Sequence, residues 1–308
     1  MDFTSGVLRL EDLETVPLPK VPLAVLGMPV AHSLSPAIHN PALAALARSE
    51  PEFADWGYVR VEVPIDLLEA AIPKLFARGF RGLNLTLPHK VRALELVQDV
   101  DPSVVAMGAV NTLVATADGY SATNTDGFGI ARAVETQLKR RLSDTDVVLL
   151  GAGGAARAIT VQALADGVPK LWIGNRSETN LTTLLLELKE ADVDLSRVEP
   201  FLFSHAPSDL PSDALLINAT PAGLKTDDLL PIDLSFLGND GAIYDTTYGT
   251  RNGWARWAEE HGRSYADGLG MLIYQGQRSL EIWTGREVSA EVMMASGKAA
   301  LAERIGAA

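Results

Sequence analysis

A short apolar run that ends on glycines constrains the fold of this chain more than any other feature. Residues 146–150 are Asp-Val-Val-Leu-Leu, and Gly151-Ala-Gly-Gly-Ala-Ala156 then leads into an alanine-rich helical pattern that continues to about Ala165. Gly167 stands where a helix favours a C-terminal glycine, and residues 170–174 are again mostly apolar. The sequence therefore predicts a strand, a tight turn, a helix and a second parallel strand.

The small residues of this turn each have a physical role if the unit binds a dinucleotide. Gly151 makes the turn, Gly153 lets a pyrophosphate approach the backbone, and the small Ala156 lets the helix pack on the strand. The helix N-terminus then faces the anion. The alternative is a glycine-rich turn that serves packing only. Because the turn lies between a strand and a helix, we favour the dinucleotide site.

The apolar pattern divides the chain into two α/β regions. Runs at residues 215–218 and 242–245 end in polar residues, as parallel strands do at their carboxyl edge. We therefore expect a Rossmann-like, doubly wound domain over 126–265. The first third also alternates strand and helix patterns, which predicts a separate α/β domain over 1–125. We expect the helices of 266–308 to pack back on that domain, with a hinge beside a cleft near residue 125.

The residues after the second strand predict the choice of cofactor. A carboxylate there would hold a ribose 2′-hydroxyl, whereas an arginine accepts a 2′-phosphate. The sequence has Asn175-Arg176-Ser177, and no acid occurs before Glu178. This favours NADP(H) over NAD(H). The alternative is that Arg176 is only a solvated surface charge.

Charge and composition exclude several classes of partner. The chain has 26 basic and 39 acidic side chains, a formal charge of −13, which would repel nucleic acid. Its longest uncharged stretch, 21–47, contains four prolines, so we expect no membrane helix. The first twenty residues include four acids and no continuous apolar run, which indicates no export signal. There is no cysteine, which agrees with a cytoplasmic location, and the five histidines show no metal-ligand spacing.

Four polar segments of the first region occur where strands or loops turn over. They are rich in uncharged donors that can bind hydroxyls and a carboxylate, and they add one cation and one anion. The alternative is local capping, in which Ser35 caps the helix that follows it and Thr125 or Asp126 caps the helix that begins at Gly127. The segments are Ser33-Leu-Ser35-Pro36, Asn84-Leu-Thr86-Leu-Pro-His-Lys90, Asn111-Thr112 and Asn124-Thr-Asp126-Gly127.

Together with Asn218-Ala-Thr220 and Ala266-Asp-Gly268-Leu-Gly-Met271, these motifs in this order resemble the shikimate dehydrogenase family from about residue 22 to 283. The resemblance implies reversible, NADPH-dependent reduction of 3-dehydroshikimate to shikimate, on the route to aromatic amino acids. It implies a small-molecule substrate. We expect a monomer or homodimer. The N-terminal domain would bind the substrate.

The resemblance also implies roles for individual residues. Lys90 and Asp126 would be the catalytic pair. Lys90 can donate a proton to the alkoxide left by hydride transfer, and a Schiff base from Lys90 is the competing mechanism. The implied substrate-binding residues are Ser33, Ser35, Asn84, Thr86, Asn111, Tyr248 and Gln275. The implied cofactor-binding residues are Gly151, Ala152, Gly153, Gly154, Ala155, Asn175, Arg176, Ser177, Thr220, Gly268 and Met271.

Two positions depart from the commoner family pattern. Asn180 stands where an arginine is frequent, which predicts a modest preference for NADP. His89 stands where an apolar aromatic is frequent, and we interpret it as structural rather than as a proton relay. The alternative functions are a quinate/shikimate dehydrogenase that uses NAD(H) or both cofactors, and a dinucleotide-binding sensor without turnover.

Overall fold

The computed structural model describes residues 6–222, 228–249 and 251–306. The chain forms two compact units. Unit 1 comprises Met1–Thr125 and Gln275–Ala308, and unit 2 comprises Asp126–Tyr274.

Unit 1 begins with a mixed succession of strands and helices. Its elements up to residue 125 are β1 Val7–Arg9, β2 Val21–Gly27, α1 Ser35–Ser49, β3 Trp56–Glu62, α2 Leu68–Ala77, β4 Gly82–Leu85, α3 His89–Leu96, β5 Asp99–Val100, α4 Pro102–Met107, β6 Thr112–Ala115 and β7 Tyr120–Thr123.

The sheet of unit 1 has the order β1-β3-β2-β4-β6-β7-β5. Most neighbours are parallel, but β6 runs antiparallel to both β4 and β7. The α/β character predicted for this region is confirmed, while the antiparallel pair was not predicted. Helix α2 begins at Leu68, directly after a 3₁₀ turn at Ile65–Leu67, and it stops before Gly79, which has φ +81°.

Unit 2 alternates strands and helices in the manner of a nucleotide-binding fold. Its elements are α5 Asp126–Ala133, β8 Val147–Leu150, α6 Gly154–Ala165, β9 Leu171–Asn175, α7 Glu178–Glu190, β10 Val198–Leu202, β11 Leu215–Asn218, β12 Ala242–Asp245, α8 Gly253–Glu260, β13 Ser264–Asp267 and the start of α9 Leu269–Thr284. The later residues of α9 and all of α10, Ala290–Gly306, belong to unit 1.

The sheet of unit 2 has the order β10-β9-β8-β11-β12-β13, and all of its described pairings are parallel. The chain returns from one side of β8 to the other between β10 and β11. The carboxyl ends of β8 and β11 therefore form a topological switch point, which is where open α/β sheets bind ligands. The predicted doubly wound sheet is confirmed.

Each unit buries its own apolar core. In unit 1 one core cluster lies on the face of the sheet where Val59 and Val61 of β3 pack with residues of α2. Leu23 and Val25 of β2, which point to the other face, are buried as well. In unit 2, Val148, Trp172 and Trp254 belong to one buried cluster. Burial of such side chains from water is the main stabilising contribution in both units.

None of the helices in the described part of the chain has the length and continuous apolar character of a membrane span. The same residues contain no group of three or more His, Cys, Asp or Glu side chains that could hold a metal ion.

Candidate functional site

The glycine turn of unit 2 is held at the switch point by backbone contacts. Gly151 has φ +124°, and its N–H donates to the carbonyl of Gly174 at 2.8 Å. A Cβ built on Gly151 would lie 2.7 Å from the carbonyl oxygen of Ala219, which follows β11. Position 151 therefore requires glycine for both its backbone angle and this close approach.

The next residues of the turn are open to solvent. Gly153, Gly154 and Ala155 are exposed, and a Cβ on either glycine would meet no protein atom within 4 Å. Gly153 is the N-cap of α6, so no side chain caps this helix. Its first N–H groups can therefore bind an anion. The buried Ala156 packs the helix on the sheet. The turn thus fits the pyrophosphate of a dinucleotide.

A cavity of about 680 Å³ extends from this turn along the edge of the sheet. It is lined by small, amide and apolar residues, and no carboxylate lines it among the described residues. An anionic ligand would therefore meet no like charge among these described lining residues. The lining residues are Gly151, Ala152, Gly153, Asn175, Arg176, Asn180, Phe203, Ala219, Thr220, Pro221, Ala222, Leu229, Leu230 and Pro231.

Arg176 is the charged residue of this lining. It directly follows β9, its side chain is exposed, and no described residue accepts a hydrogen bond from it. Ser177 caps α7, because its Oγ accepts a hydrogen bond from the N–H of Asn180 at 3.3 Å. The Asn175 amide donates to the Ser177 carbonyl at 2.9 Å. The guanidinium thus stands on a fixed turn and fits a 2′-phosphate better than a 2′-hydroxyl.

A buried polar cluster holds the loop that follows β11. The Asn218 amide accepts from the Thr220 hydroxyl at 2.7 Å and donates to Asp245 Oδ1 at 2.9 Å. Thr247 Oγ1 donates to Asp245 Oδ2 at 2.7 Å, and the Asn252 amide donates to the same oxygen. These hydrogen bonds satisfy the buried carboxylate. They also fix Thr220 at the cavity.

The start of α9 is anchored on β12. The Met271 N–H donates to the hydroxyl of Tyr244 at 3.0 Å. Burial raises the pKa of Tyr244, so the hydroxyl stays protonated. A Cβ on Gly268 would lie 2.0 Å from the carbonyl of Thr246, so only glycine fits there. Gly268 and Met271 thus lie at the carboxyl edge of the sheet of unit 2, on the same edge as the glycine turn.

In unit 1, Ser33 and Ser35 form a tight hydroxyl pair. Ser33 Oγ donates to Ser35 Oγ at 3.1 Å, and the Ser35 N–H donates to Ser33 Oγ at 3.2 Å. The alternative of Ser35 as a helix cap is wrong, because Leu34 is the N-cap of α1 and no side chain caps it. Ser33 Oγ thus accepts from the first N–H of α1, whereas the Ser35 hydroxyl does not cap that helix.

A buried amide and hydroxyl network joins three predicted substrate residues of unit 1. Asn84 Nδ2 donates to Ser279 Oγ at 3.0 Å, while its Oδ1 accepts from the Tyr58 hydroxyl at 2.8 Å. Asn111 Nδ2 is 3.4 Å from Gln275 Oε1. Both amide ends of Asn84 are therefore engaged within the unit. The geometry favours a positioning role for Asn84, and a direct contact with substrate stays a prediction.

Lys90 lies in the first turn of α3, at the carboxyl edge of the sheet of unit 1. Its carbonyl accepts from the Val110 N–H at 2.8 Å, and its side chain is half-buried. Thr86 is half-buried just after β4, and its carbonyl accepts from the His89 N–H at 2.9 Å. The His89 ring is buried, and burial lowers its pKa. A neutral ring held inside the unit agrees with a structural role.

Of the residues predicted for catalysis or substrate binding, two belong to unit 2. Asp126 is the first residue of α5, and Tyr248 follows β12; both side chains are half-buried. Thr125 donates its N–H to Asn111 Oδ1 at 2.8 Å, and the capping of α5 by Thr125 or Asp126 stays a prediction. The roles of Asp126 and Tyr248 stay predictions.

The structure adds residues that the sequence motifs did not indicate. Ser279 lies one helical turn after Gln275, and this spacing could have revealed it. Arg60 is a charged residue inside an otherwise mostly apolar strand pattern, which is a signal in itself. Tyr58 stacks on His39 with ring centroids 4.1 Å apart. All four contribute to the polar side of unit 1.

The six-stranded parallel sheet with an uncapped glycine turn at its switch point defines unit 2 as a Rossmann-type dinucleotide-binding unit. Family models match the chain in two places. The shikimate dehydrogenase substrate-binding domain matches residues 25–113. The shikimate 5′-dehydrogenase C-terminal domain matches residues 268–296.

Individual proteins resemble the chain over nearly its full length. A shikimate dehydrogenase (NADP(+)) of Symbiobacterium thermophilum is 36% identical over 283 residues, covering 91% of this chain and 94% of that protein. The shikimate 5-dehydrogenase of Thermus thermophilus, solved with NADP(H) and shikimate, has a TM-score of 0.77 and 31% identity, covering 91% and 99% of the two chains. The 5-ketofructose reductase of a Gluconobacter species has a TM-score of 0.81 and 28% identity, covering 91% and 98%.

The chain belongs to the shikimate dehydrogenase family.

Proposed function

We propose that this protein is an NADP-dependent shikimate dehydrogenase, which reduces 3-dehydroshikimate to shikimate reversibly. Relatives that carry this name cover most of the chain, and one of the similar structures holds NADP(H) and shikimate. We assign the reaction to the cytoplasm, which agrees with a sequence that has no cysteine.

The observation that carries the proposal is the chemistry of unit 1. Unit 1 contains both a pair of serine hydroxyls and a buried network of amides and hydroxyls that includes Asn111 and Gln275. Such groups recognise a carboxylate and ring hydroxyls through hydrogen bonds rather than through bulk. A chain that carries this set together with a dinucleotide turn is equipped to oxidise a hydroxylated acid.

The NADP fit rests on residues of unit 2. The N–H groups at the start of α6 would hold the pyrophosphate, and Arg176 would hold the 2′-phosphate. NADPH, when bound, supplies the hydride. The modest preference expected from Asn180 agrees with a lining that has a single guanidinium among its described residues.

In the proposed reaction the residues of this protein carry out the proton transfer. Reduction of a ketone leaves an alkoxide, and an ammonium at Lys90 can donate a hydrogen bond and then its proton to that oxygen. Asp126 would hold the lysine in its charged form and in position. A Schiff base is unnecessary, because hydride transfer to the carbonyl needs no covalent adduct with the enzyme.

One assay tests the proposal against its alternatives. Purified protein is mixed with shikimate or quinate and with NADP⁺ or NAD⁺, and the absorbance of the reduced cofactor is followed. We expect the highest kcat/KM with shikimate and NADP⁺. Faster turnover of quinate with NAD⁺ would support the quinate alternative. Binding of NADP⁺ with no turnover of either acid would support the sensor.

A further inference from the structure

Arg60 of β3 is a cation placed inside unit 1. Side chains alternate along a strand, so Val59 and Val61 face the apolar core while Tyr58 and Arg60 face the opposite side of the sheet. Arg60 is only 9% exposed. Arginine is rarely buried unless it has a specific task, because removing its charge from water is costly.

The guanidinium of Arg60 holds the turn that carries the two serines. Its Nε and Nη2 both donate to the carbonyl oxygen of Ser33, at 3.1 and 2.7 Å. The same turn is closed by the Ser33 N–H, which donates to the Val30 carbonyl at 3.0 Å. Arg60 therefore fixes the backbone from which the hydroxyls of Ser33 and Ser35 project.

The position of this charge matters for an anionic ligand. The serine hydroxyls are neutral donors, and neutral donors alone compensate poorly for the lost hydration of a carboxylate. A fixed guanidinium directly behind them adds an attractive field in a partly buried site, where charges interact more strongly than in water. Burial lowers the pKa of Arg60, but an arginine keeps its proton at neutral pH.

The same fold also serves an uncharged sugar ketone, since 5-ketofructose reductase is among the similar structures. The fold alone therefore does not require an acid as substrate. We propose that Arg60 is a specificity-determining positioning residue, which makes unit 1 select a carboxylate at Ser33 and Ser35. This inference rests on the proposed function and deepens it.

The test compares shikimate with its uncharged methyl ester, both oxidised with NADP⁺. We expect the wild-type kcat/KM for the acid to exceed that for the ester by at least about tenfold, which is the worth of one charge-assisted contact. A ratio near one would overturn the proposal. A wild-type protein that oxidises neither compound would instead overturn the proposed function.

Two variants separate charge from structure. Arg60→Gln keeps a donor for the Ser33 carbonyl but removes the charge, so the ratio of acid to ester should fall roughly tenfold, mainly through KM for the acid. Arg60→Lys keeps the charge, so the ratio should stay within about threefold of the wild type. Arg48→Gln, at an exposed position of α1, is the matched control and should change nothing.

Equal losses for acid and ester in Arg60→Gln would show a merely structural role. A loss of discrimination in Arg60→Lys as large as in Arg60→Gln would show that charge is not the cause. Either result contradicts the proposal. If Arg60→Gln does not fold, the wild-type ratio and Arg60→Lys still decide the question.

Discussion

Arg176 offers the clearest test of cofactor choice, through the substitution Arg176→Ala. The side chain is exposed at the cavity, and no described residue accepts its hydrogen bonds, so its removal leaves no protein group unsatisfied. Stability should therefore be unchanged, within the roughly 0.5 kcal/mol typical of surface substitutions. The substitution should therefore change the affinity for the cofactor and not the stability of the fold.

The expected loss of affinity follows from the hydrogen bond that Arg176 would donate to the 2′-phosphate. A hydrogen bond to a charged group contributes about 1.5–3 kcal/mol, which corresponds to roughly 10- to 100-fold in affinity. Solvent exposure of Arg176 favours the lower end of this range. We expect Kd for NADPH to rise about 10- to 30-fold, while Kd for NADH changes less than about 3-fold.

Fluorescence titration of the protein with each reduced cofactor measures both constants. Asn180→Arg is the matched gain-of-charge variant, and it should tighten NADPH binding with little effect on NADH. Raising the salt concentration should narrow the difference between the two cofactors, because exposed charges are screened. Equal weakening of NADPH and NADH in Arg176→Ala would refute the assignment of this residue to the 2′-phosphate.

Two further predictions concern stability. Gly151→Ala should lower the free energy of unfolding, measured in urea titrations, by at least about 2 kcal/mol, because Gly151 has a positive φ and its Cβ would overlap Ala219. Gly153→Ala should lower the same free energy by less than about 1 kcal/mol, and its main effect should be weaker binding of NADP⁺. Equal destabilisation by both would contradict the open position of Gly153. His39 gives a pH dependence, because burial, opposed by the hydrogen bond with the Ser35 carbonyl, lowers its pKa from 6.5 to about 4. As the pH falls, His39 of the unfolded chain takes up a proton before His39 of the folded chain does. The free energy of unfolding of the wild type should therefore fall by up to about 3 kcal/mol relative to that of His39→Gln between pH 6.5 and 4. Parallel curves of unfolding free energy against pH for the two proteins would contradict this prediction.

The strands and helices of unit 2 could be predicted from the sequence because each is marked by residues within or next to the element itself. Strands at 215–218 and 242–245 lie where the apolar runs placed them, and Gly167 ends α6 with φ +86°. The β6–β7 pair was missed although Asp118-Gly119 between two alternating segments is a hairpin signal. Two four-residue strands with polar alternation are too short to stand out from loops.

The sequence indicates candidate site residues where a motif carries its own chemistry, as at Ser33 and Lys90, and the roles of these residues stay predictions. The partners that hold such residues were not. Asn84 and Ser279 are 195 positions apart in the chain and meet only through packing within unit 1. Arg60 is a neighbour of Ser33 because β3 presents alternate side chains to the loop before α1, a relation that depends on the sheet and not on spacing in the sequence.

The most direct test of the account is the initial rate of NADPH formation from shikimate by Lys90→Ala, measured beside the wild type at saturating substrate. Loss of the proton donor and acceptor should lower kcat by about 10²- to 10⁴-fold, the usual range for acid–base assistance, with circular dichroism and NADP⁺ binding unchanged. Turnover by a folded Lys90→Ala protein at a rate near that of the wild type would contradict the central claim.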